Sequence, residues 1–320
     1  MARFQHDGLA MIVSVIDIGT NTVLLLVARV VSDGSVFPLV GEQRLPRLGR
    51  GVDASRNIHT EAMQRVIEVL REYRGLMNPH APGRTVVCGT SAVRDAANRE
   101  EFAERIRNET GFALEVLSGE EEAFWTYRGA VSGVPGIGRA TVIDIGGGST
   151  EITVGESTNV QKRVSLDIGS VRLTERFLHH DPPTRSELAS AIELVQNELS
   201  RAADFPFSGS TLIGVAGTAT TLAALAQGLK EFDAGAVTNY RLTLENVKHL
   251  FRTLRAMPSG MIRELSSVME GRSDVITGGV LILREIMAHF NFDEMVVSER
   301  GLRYGLAIRE AFPASGRSLP

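Results

Sequence analysis

Residues 142–151, with the sequence VIDIGGGSTE, decide the fold and the candidate site of this chain. An apolar run leads into Asp144, three glycines follow, and residues 152–154 begin a second β-rich run. This order predicts a strand, a tight turn and a second strand. Glycines let backbone amides approach a ligand such as phosphate. The nearby carboxylates of Asp144 and Glu151 would repel that anion unless a cation lay between them. The pattern fits a phosphate–Mg²⁺ site, and a plain glycine hairpin is an equal alternative.

The same design occurs near the start of the chain. Residues 15–22 read VIDIGTNT, so the five letters VIDIG recur at 142–146, and both copies continue into a β-rich segment. Two matching strand–turn–strand units far apart in the sequence predict two similar halves that face each other. Their turns are then expected to hold one ligand between them.

Composition limits the classes of protein and partner. The chain has 320 residues, of which 43% are hydrophobic and 22% charged, which is typical of about two globular domains. A net charge of −4 argues against nucleic acid as a partner. The single cysteine, Cys88, excludes an internal disulfide and suits a reducing compartment. No apolar run approaches the roughly 20 residues needed to cross a membrane, so we expect no membrane partner and a cytoplasmic location.

Polar residues follow the strand predicted at residues 84–88. Ligands of α/β sheets gather beyond the carboxyl ends of strands, which places Ser91 and Arg94 near one. Residues 118–123, SGEEEA, follow another short strand and begin a helix. Two of the three glutamates are explained by the helix dipole, and the remaining one is a candidate base.

Two later features complete the organisation. Residues 132–138 contain three glycines and a proline, and this change in composition places a domain boundary between about 126 and 138. Gly217 and Thr218 follow the strand predicted at 211–215, where small residues would either admit a phosphate or allow close helix–strand packing.

These motifs, taken in order, resemble the exopolyphosphatase and guanosine-pentaphosphate phosphatase family. The resemblance rests on the two VIDIG loops and on four further blocks, at residues 89–94, 118–123, 214–221 and 298–305. It implies an α/β fold with two ribonuclease-H-like domains around a central cleft, as in the actin, Hsp70 and sugar-kinase superfamily. The domains would be 1–130 and 131–301, with a terminal helix at about 302–313 packed back on the first. The chain resembles the short form of the family.

The resemblance also implies the site. Glu121 would be the general base that orients water, and Arg94 would clamp the terminal phosphate. Asp144 and Glu151 would hold Mg²⁺, or alternatively Mn²⁺, with Asp17 as a helper. The predicted phosphate-binding residues are Gly19, Thr20, Asn21, Thr22, Ser91, Gly146, Gly147, Gly148, Ser149, Thr150, Gly217 and Thr218.

The implied activity is hydrolysis of a terminal phosphoanhydride. The first hypothesis is an exopolyphosphatase acting on inorganic polyphosphate, and the second is a phosphohydrolase of the guanosine nucleotide pppGpp. A non-catalytic nucleotide or alarmone sensor and a superfamily kinase are the alternatives from other classes. The motifs leave substrate preference and oligomeric state open, with a homodimer as one option.

Overall fold

The repeated aspartate–glycine sequence occupies the same place in two similar sheets. The computed structural model describes residues 10–134 and 136–312. The strands of the first lobe are β1 (Met11–Ile18), β2 (Val23–Val30), β3 (Val36–Arg44), β4 (Arg84–Gly89) and β5 (Leu114–Val116). They lie in the order β3-β2-β1-β4-β5. Strand β1 pairs antiparallel with β2 and parallel with β4.

The second lobe repeats this arrangement. Its strands are β6 (Arg139–Ile145), β7 (Thr150–Glu156), β8 (Asn159–Leu166), β9 (Thr211–Val215), β10 (Arg241–Thr243) and β11 (Glu294–Val297). Read from the β8 edge, the order is β8-β7-β6-β9-β11-β10. Strand β6 pairs antiparallel with β7 and parallel with β9, as β1 does with β2 and β4. Each sheet therefore has the ribonuclease-H-like strand order, and the predicted fold is confirmed.

Helices cover the sheets. In the first lobe they are α1 (Val52–Ser55), α2 (Thr60–Met77), α3 (Ser91–Asp95), α4 (Arg99–Thr110) and α5 (Gly119–Val131). Those that follow are α6 (Ser170–Phe177), α7 (Arg185–Leu199), α8 (Ala216–Ala226), α9 (Ala234–Val237), α10 (Leu244–Leu254), α11 (Ser259–Glu264), α12 (Ile276–His289) and α13 (Leu302–Ala311). Because strands β1 and β6 are covered on both faces, their apolar residues run almost without interruption, as the VIDI segments show.

Helices α5 and α13 join the two lobes. One face of α5 packs with α13 against the first sheet through Phe124 and Trp125, and Tyr127 on the same helix packs against the second sheet. The two helices cross at contact distance: a Cβ on Gly129 would lie 2.0 Å from the Gly301 carbonyl oxygen. A Cβ on Gly305 would meet the backbone of α5 at 1.9 Å. Glycine is therefore required on both helices at this crossing.

The predicted domain limits fall partly outside the described residues, because residues 1–9 and 313 are not among them. The chain enters the second sheet at Arg139, after α5, and α13 packs on the first sheet through Leu302 and Leu306. Within the described ranges, no helix has the length and apolar character that a membrane span requires.

Candidate active site

The two aspartate–glycine loops have the same backbone structure. In the first, the Gly19 amide donates to the Thr22 carbonyl oxygen at 2.9 Å. In the second, the Gly146 amide donates to the Ser149 carbonyl oxygen at 3.0 Å. Each turn closes an antiparallel hairpin directly after its aspartate. The sequence repeat thus corresponds to a structural repeat at the ends of β1 and β6.

The loops face each other across the cleft at contact distance. A Cβ on Gly147 would lie 2.8 Å from the Thr20 Cβ, and a Cβ on Gly148 would lie 2.4 Å from the Ser91 Oγ. Neither glycine has a positive φ angle, so space rather than backbone conformation requires glycine here. The sequence GGG lets the two lobes meet.

A cavity of about 110 Å³ lies between the loops. Its volume fits a phosphate group better than a nucleoside. The predicted site residues that line it are Asp17, Gly19, Thr20, Asn21, Thr22, Ser91, Asp144, Gly146, Gly147, Gly148, Ser149, Gly217 and Thr218. Thr150 does not line it, because its hydroxyl donates to the Ile168 carbonyl oxygen at 2.6 Å inside the second lobe.

The glutamate on this cavity is Glu122, and the assignment of Glu121 as the base needs correction. Glu121 is the third residue of α5, and its carboxylate accepts hydrogen bonds from the Ser118 amide at 2.9 Å and the Ser118 hydroxyl at 2.7 Å. This capping box explains why a glutamate stands there. One residue on, about 100° around the helix, Glu122 is buried and lines the cavity. The acidic triplet pointed to the right turn of helix but to the wrong glutamate.

Arg94 is paired with Glu122 and does not line the cavity. Its Nη1 donates to a Glu122 carboxylate oxygen at 3.0 Å and to the Leu117 carbonyl oxygen at 2.9 Å. Burial raises the pKa of Glu122, and the charge and hydrogen bond of Arg94 oppose that rise. The structure therefore places Arg94 as the partner of a buried carboxylate, whereas the sequence predicted a phosphate clamp.

The aspartates of the two loops are close enough to affect each other. Burial, with the negative charge of Glu122 as the next cause, raises the pKa of Asp17 to about 7, and Arg303 opposes this. Burial, Glu122 and Asp17 raise the pKa of Asp144 to about 8. The Asp17 Oδ1 atom is buried and has no hydrogen-bond partner among the described residues. Like charges held together out of water favour protonation or a bound cation.

The predicted metal ligands do not form one set. Among the described residues, no group of three or more histidine, cysteine, aspartate or glutamate side chains is close enough to hold a metal ion. Glu151 is directly opposite Asp144 in the β6–β7 pairing, but it does not line the cavity, and its Oε1 accepts from the Ser165 hydroxyl at 2.7 Å. Asp17 and Asp144 do line it. Two carboxylates fit Mg²⁺, which commonly takes one or two protein carboxylates with substrate phosphates and water.

Arg272 lines the cavity and was missed from the sequence. Its guanidinium donates to the Gln43 side chain at 3.0 Å, and no ion pair to it is found within the described residues. Burial lowers its pKa to about 10. A Cβ on Gly217 would lie 1.9 Å from the Arg272 Nη1, so the glycine makes room for this arginine. The sequence offered no signal, because Arg272 precedes α12 in a segment without a recognisable motif.

A larger cavity, of about 1170 Å³, adjoins the first. The two share Leu24, Gln43, Ala216, Gly217 and Arg272 as lining residues. Arginines at 47, 263 and 303 also line the larger cavity, together with apolar side chains that include Phe232 and Tyr304. Space for the rest of a long substrate therefore continues from the small cavity.

Ion pairs cross from one lobe to the other beside the cleft. Arg172, which is 7% exposed, lies 3.2 Å from an Asp53 oxygen and also pairs with Asp95. Arg47 pairs with Asp274 at 2.9 Å. We call these contacts the interlobe seam. Arg47 belongs to the arginine-rich loop at residues 44–51, which thus contributes to the seam.

Comparison with known proteins identifies relatives over almost the whole chain. The Ppx/GppA phosphatase family matches residues 26–312. Exopolyphosphatase 2 of Mycobacterium tuberculosis is 38% identical over 311 residues, which cover 92% of this chain and 97% of that protein. The guanosine-5′-triphosphate,3′-diphosphate pyrophosphatase of Vibrio atlanticus is 32% identical and covers 91% of this chain, but the match spans 58% of that protein. The crystal structure of the Aquifex aeolicus Ppx/GppA family member superposes with a TM-score of 0.81 at 33% identity, covering 97% of this chain and 100% of that one.

Proposed function

The chain belongs to the Ppx/GppA phosphatase family, and we propose that it hydrolyses the terminal phosphoanhydride of inorganic polyphosphate and releases orthophosphate. Membership makes it a hydrolase of phosphoanhydride bonds. The relative with 38% identity is named an exopolyphosphatase and is matched over almost its full length, which favours polyphosphate as the substrate.

One observation carries the proposal: a buried carboxylate, Glu122, lies on a phosphate-sized cavity between two glycine loops. Phosphoryl transfer needs positioning and charge neutralisation more than covalent chemistry. Both loops line the cavity with glycine-rich backbone, which suits phosphoryl oxygens, and Arg272 adds a cation without a carboxylate partner among the described residues.

In the proposed reaction, Glu122 accepts a proton from a water molecule as the water oxygen attacks the terminal phosphorus. The bond between that phosphorus and the bridging oxygen breaks, which leaves orthophosphate and a chain shorter by one unit. Arg94 positions Glu122, and its charge and hydrogen bond oppose the rise in the Glu122 pKa and so favour the ionised carboxylate that a base requires.

Asp17 and Asp144 are the residues that would hold Mg²⁺. When bound, the ion would neutralise negative charge on the phosphoryl oxygens. Removal of the ion with a chelator should therefore abolish phosphate release, and Mn²⁺ is the alternative ion to test.

The adjoining cavity of about 1170 Å³ favours a second candidate substrate, pppGpp. Its arginines suit further phosphates of either substrate, whereas Phe232, which is 52% exposed, would suit a purine base. The Vibrio relative named as a guanosine-nucleotide pyrophosphatase supports this alternative.

A parallel assay decides between the substrates. Orthophosphate release is measured from tripolyphosphate, long-chain polyphosphate and pppGpp at equal concentrations of phosphate ends, with Glu122→Gln as the blank. We expect a higher kcat/KM for a polyphosphate than for pppGpp. A preference for pppGpp would replace the first proposal by the second, and no Glu122-dependent release from any of them would indicate a non-catalytic sensor.

A further inference from the structure

The second lobe carries a cationic groove that shares no lining residue with the catalytic cavity. The groove lies between α7 and α10 and has a volume of about 560 Å³. Its lining residues are Arg185, Leu188, Ala189, Ile192, Lys248, Phe251, Arg252, Arg255 and Arg284. Five of these side chains are cationic, and none of the described residues that line the groove is acidic. In a chain with a net charge of −4, such a concentration of positive charge requires an explanation.

The cations form an ordered row on α10. Lys248, Arg252 and Arg255 are spaced by four and three residues, which places them on one face of the helix and at its C-terminal end. Like charges at this spacing repel one another on a helix surface. Arg185 faces them from the first turn of α7.

Three of these cations form no ion pair with another described residue, although Glu245 is near enough for its charge to act on Arg252 and the Arg255 guanidinium carbon lies 5.8 Å from the Phe251 ring centroid. Arg185, Arg252 and Arg255 are exposed, and none makes an ion pair or side-chain hydrogen bond with another described residue. The other two cations differ. Lys248 pairs with Glu245 at 2.7 Å, and Arg284 pairs with a glutamate inside the lobe.

The floor of the groove is rigid and apolar. Phe251 is 4% exposed, and the Arg284 guanidinium carbon lies 4.1 Å from its ring centroid. Leu188 of α7 is also buried. A floor that is already packed leaves the exposed guanidinium groups above it free to converge on a ligand, and arginine binds phosphate oxygens in a bidentate manner.

The groove is separate from the catalytic site. Helix α12 connects the two places: Ile276 at its first turn lines the catalytic cavity, and Arg284 lines the groove. Eight residues of α-helix span about 12 Å. A ligand in the groove would therefore lie on the outer side of the lobe, behind the helix whose start faces the substrate.

We propose that the groove between α7 and α10 is a second binding site for an oligophosphate anion, held by Arg185, Arg252 and Arg255. The inference rests on the proposed function only for the choice of anion, because a protein that cleaves polyphosphate meets such chains. A nucleoside triphosphate presents the same phosphate chemistry and is the other source of the ligand.

The test is a calorimetric titration, in which tripolyphosphate is added to full-length Glu122→Gln protein in EDTA and the heat of binding is measured. The Arg252→Glu/Arg255→Glu double variant is expected to bind at least tenfold more weakly in this background. The matched control is Arg71→Glu/Arg107→Glu on exposed helix faces of the first lobe, which changes net charge equally and should bind within twofold of the parent. Equal binding by the groove variant and the parent, or an equal loss in the control, would overturn the proposal.

Two further arms complete the design. The first is the Arg252→Gln/Arg255→Gln variant, whose thermal unfolding curve checks that it is folded. We expect it to bind tripolyphosphate more weakly than the parent, but with a smaller loss than the glutamate variant. Unchanged binding would overturn the proposal. GTP is compared with tripolyphosphate, and tighter binding of GTP identifies a nucleotide as the ligand, whereas equal binding identifies the inorganic chain. Phosphate release by the wild-type chain is measured separately, so that failure of the proposed function remains distinct from failure of the groove.

Discussion

The two aspartate–glycine loops have one backbone design but different neighbours. Asp17 is paired across its hairpin with Leu24, whereas Asp144 is paired with the buried carboxylate of Glu151. The first lobe brings Glu122 to the cavity from α5, and the second brings the glycines at 146–148. On the proposed function, we expect the first lobe to supply the reacting carboxylate and the contact between Gly147, Gly148 and the first lobe to hold the two loops together around the phosphate.

The largest effect should come from the carboxylate of the first lobe. Glu122→Gln removes the proton acceptor and keeps the shape, so kcat should fall by about 10³-fold with substrate still bound. Glu121→Gln is the matched control one residue earlier. Its side chain only caps α5, so kcat should stay within about twofold, with a loss of about 1 kcal/mol or less in stability. A severe loss of kcat in Glu121→Gln, together with normal kcat in Glu122→Gln, would instead support Glu121 as the base, as the sequence predicted.

The second prediction tests the holding role of the other loop. Gly148→Ala forces a methyl group against the Ser91 Oγ at 2.4 Å, which should separate the loops and lower kcat/KM by about 10²-fold. Gly19→Ala and Gly146→Ala are the controls. In each of these a Cβ meets only local carbonyl or hydroxyl atoms, 3.2 Å away at the nearest, so both should have small and similar effects. Equal losses in all three variants would contradict a special role for the contact between lobes.

The third prediction concerns the positioning of the base by Arg94. Arg94→Gln removes the charge that opposes the raised pKa of Glu122, so that pKa should rise further. Because the base must be ionised, the acidic limb of the kcat/KM profile should move to higher pH, with about tenfold lower activity at neutral pH. A uniform decrease at every pH, with no displacement of the limb, would indicate a direct contact with substrate instead.

The smallest effect should be on stability, and it compares the two aspartates. A carboxyl group whose pKa is raised on folding lowers stability as the pH rises from its unfolded to its folded pKa, because only the unfolded state releases the proton in that range. The ordinary aspartate pKa of 3.8 and the folded values of about 7 and 8 therefore predict that stability without metal falls between about pH 4 and pH 8. Asp144→Asn should flatten this dependence up to about pH 8, and Asp17→Asn up to about pH 7. Thermal unfolding in EDTA measures this, and Mg²⁺ should reduce the slope in the wild type only. An unchanged slope in both variants would mean that the aspartates are not the responsible groups.

The fold was predicted from two sources. The VIDIG repeats predicted the two hairpins in two similar halves, and the resemblance to the family implied the ribonuclease-H-like arrangement of the rest of each lobe. At the candidate site, the glycines predicted in both loops do line the cavity. The direction in which each side chain points could not be predicted from the sequence. Glu121 and Glu122 differ only by rotation around α5, and the competing role of the first as a cap becomes visible only when Ser118 is seen to bond to it.

Arg272 was missed for a different reason. It reaches the cavity from the segment before α12, and its partner Gln43 is on the far lobe. No spacing in the sequence connects two residues that meet only after both lobes have folded. Glu151 illustrates the converse, since it stands opposite Asp144 yet turns to Ser165. Contacts of this kind depend on tertiary packing and leave no periodic signal.

The interlobe seam has a kinetic consequence. Arg172 and Arg47 bridge the lobes in the arrangement described above, so any separation of the lobes during turnover must first break these ion pairs. On the proposed function, we expect each round of hydrolysis to include such a separation, which frees orthophosphate and lets the shortened chain advance. We expect this gating step to quicken as ionic strength rises, so that moderate salt speeds turnover even as it weakens the grip on the polymer.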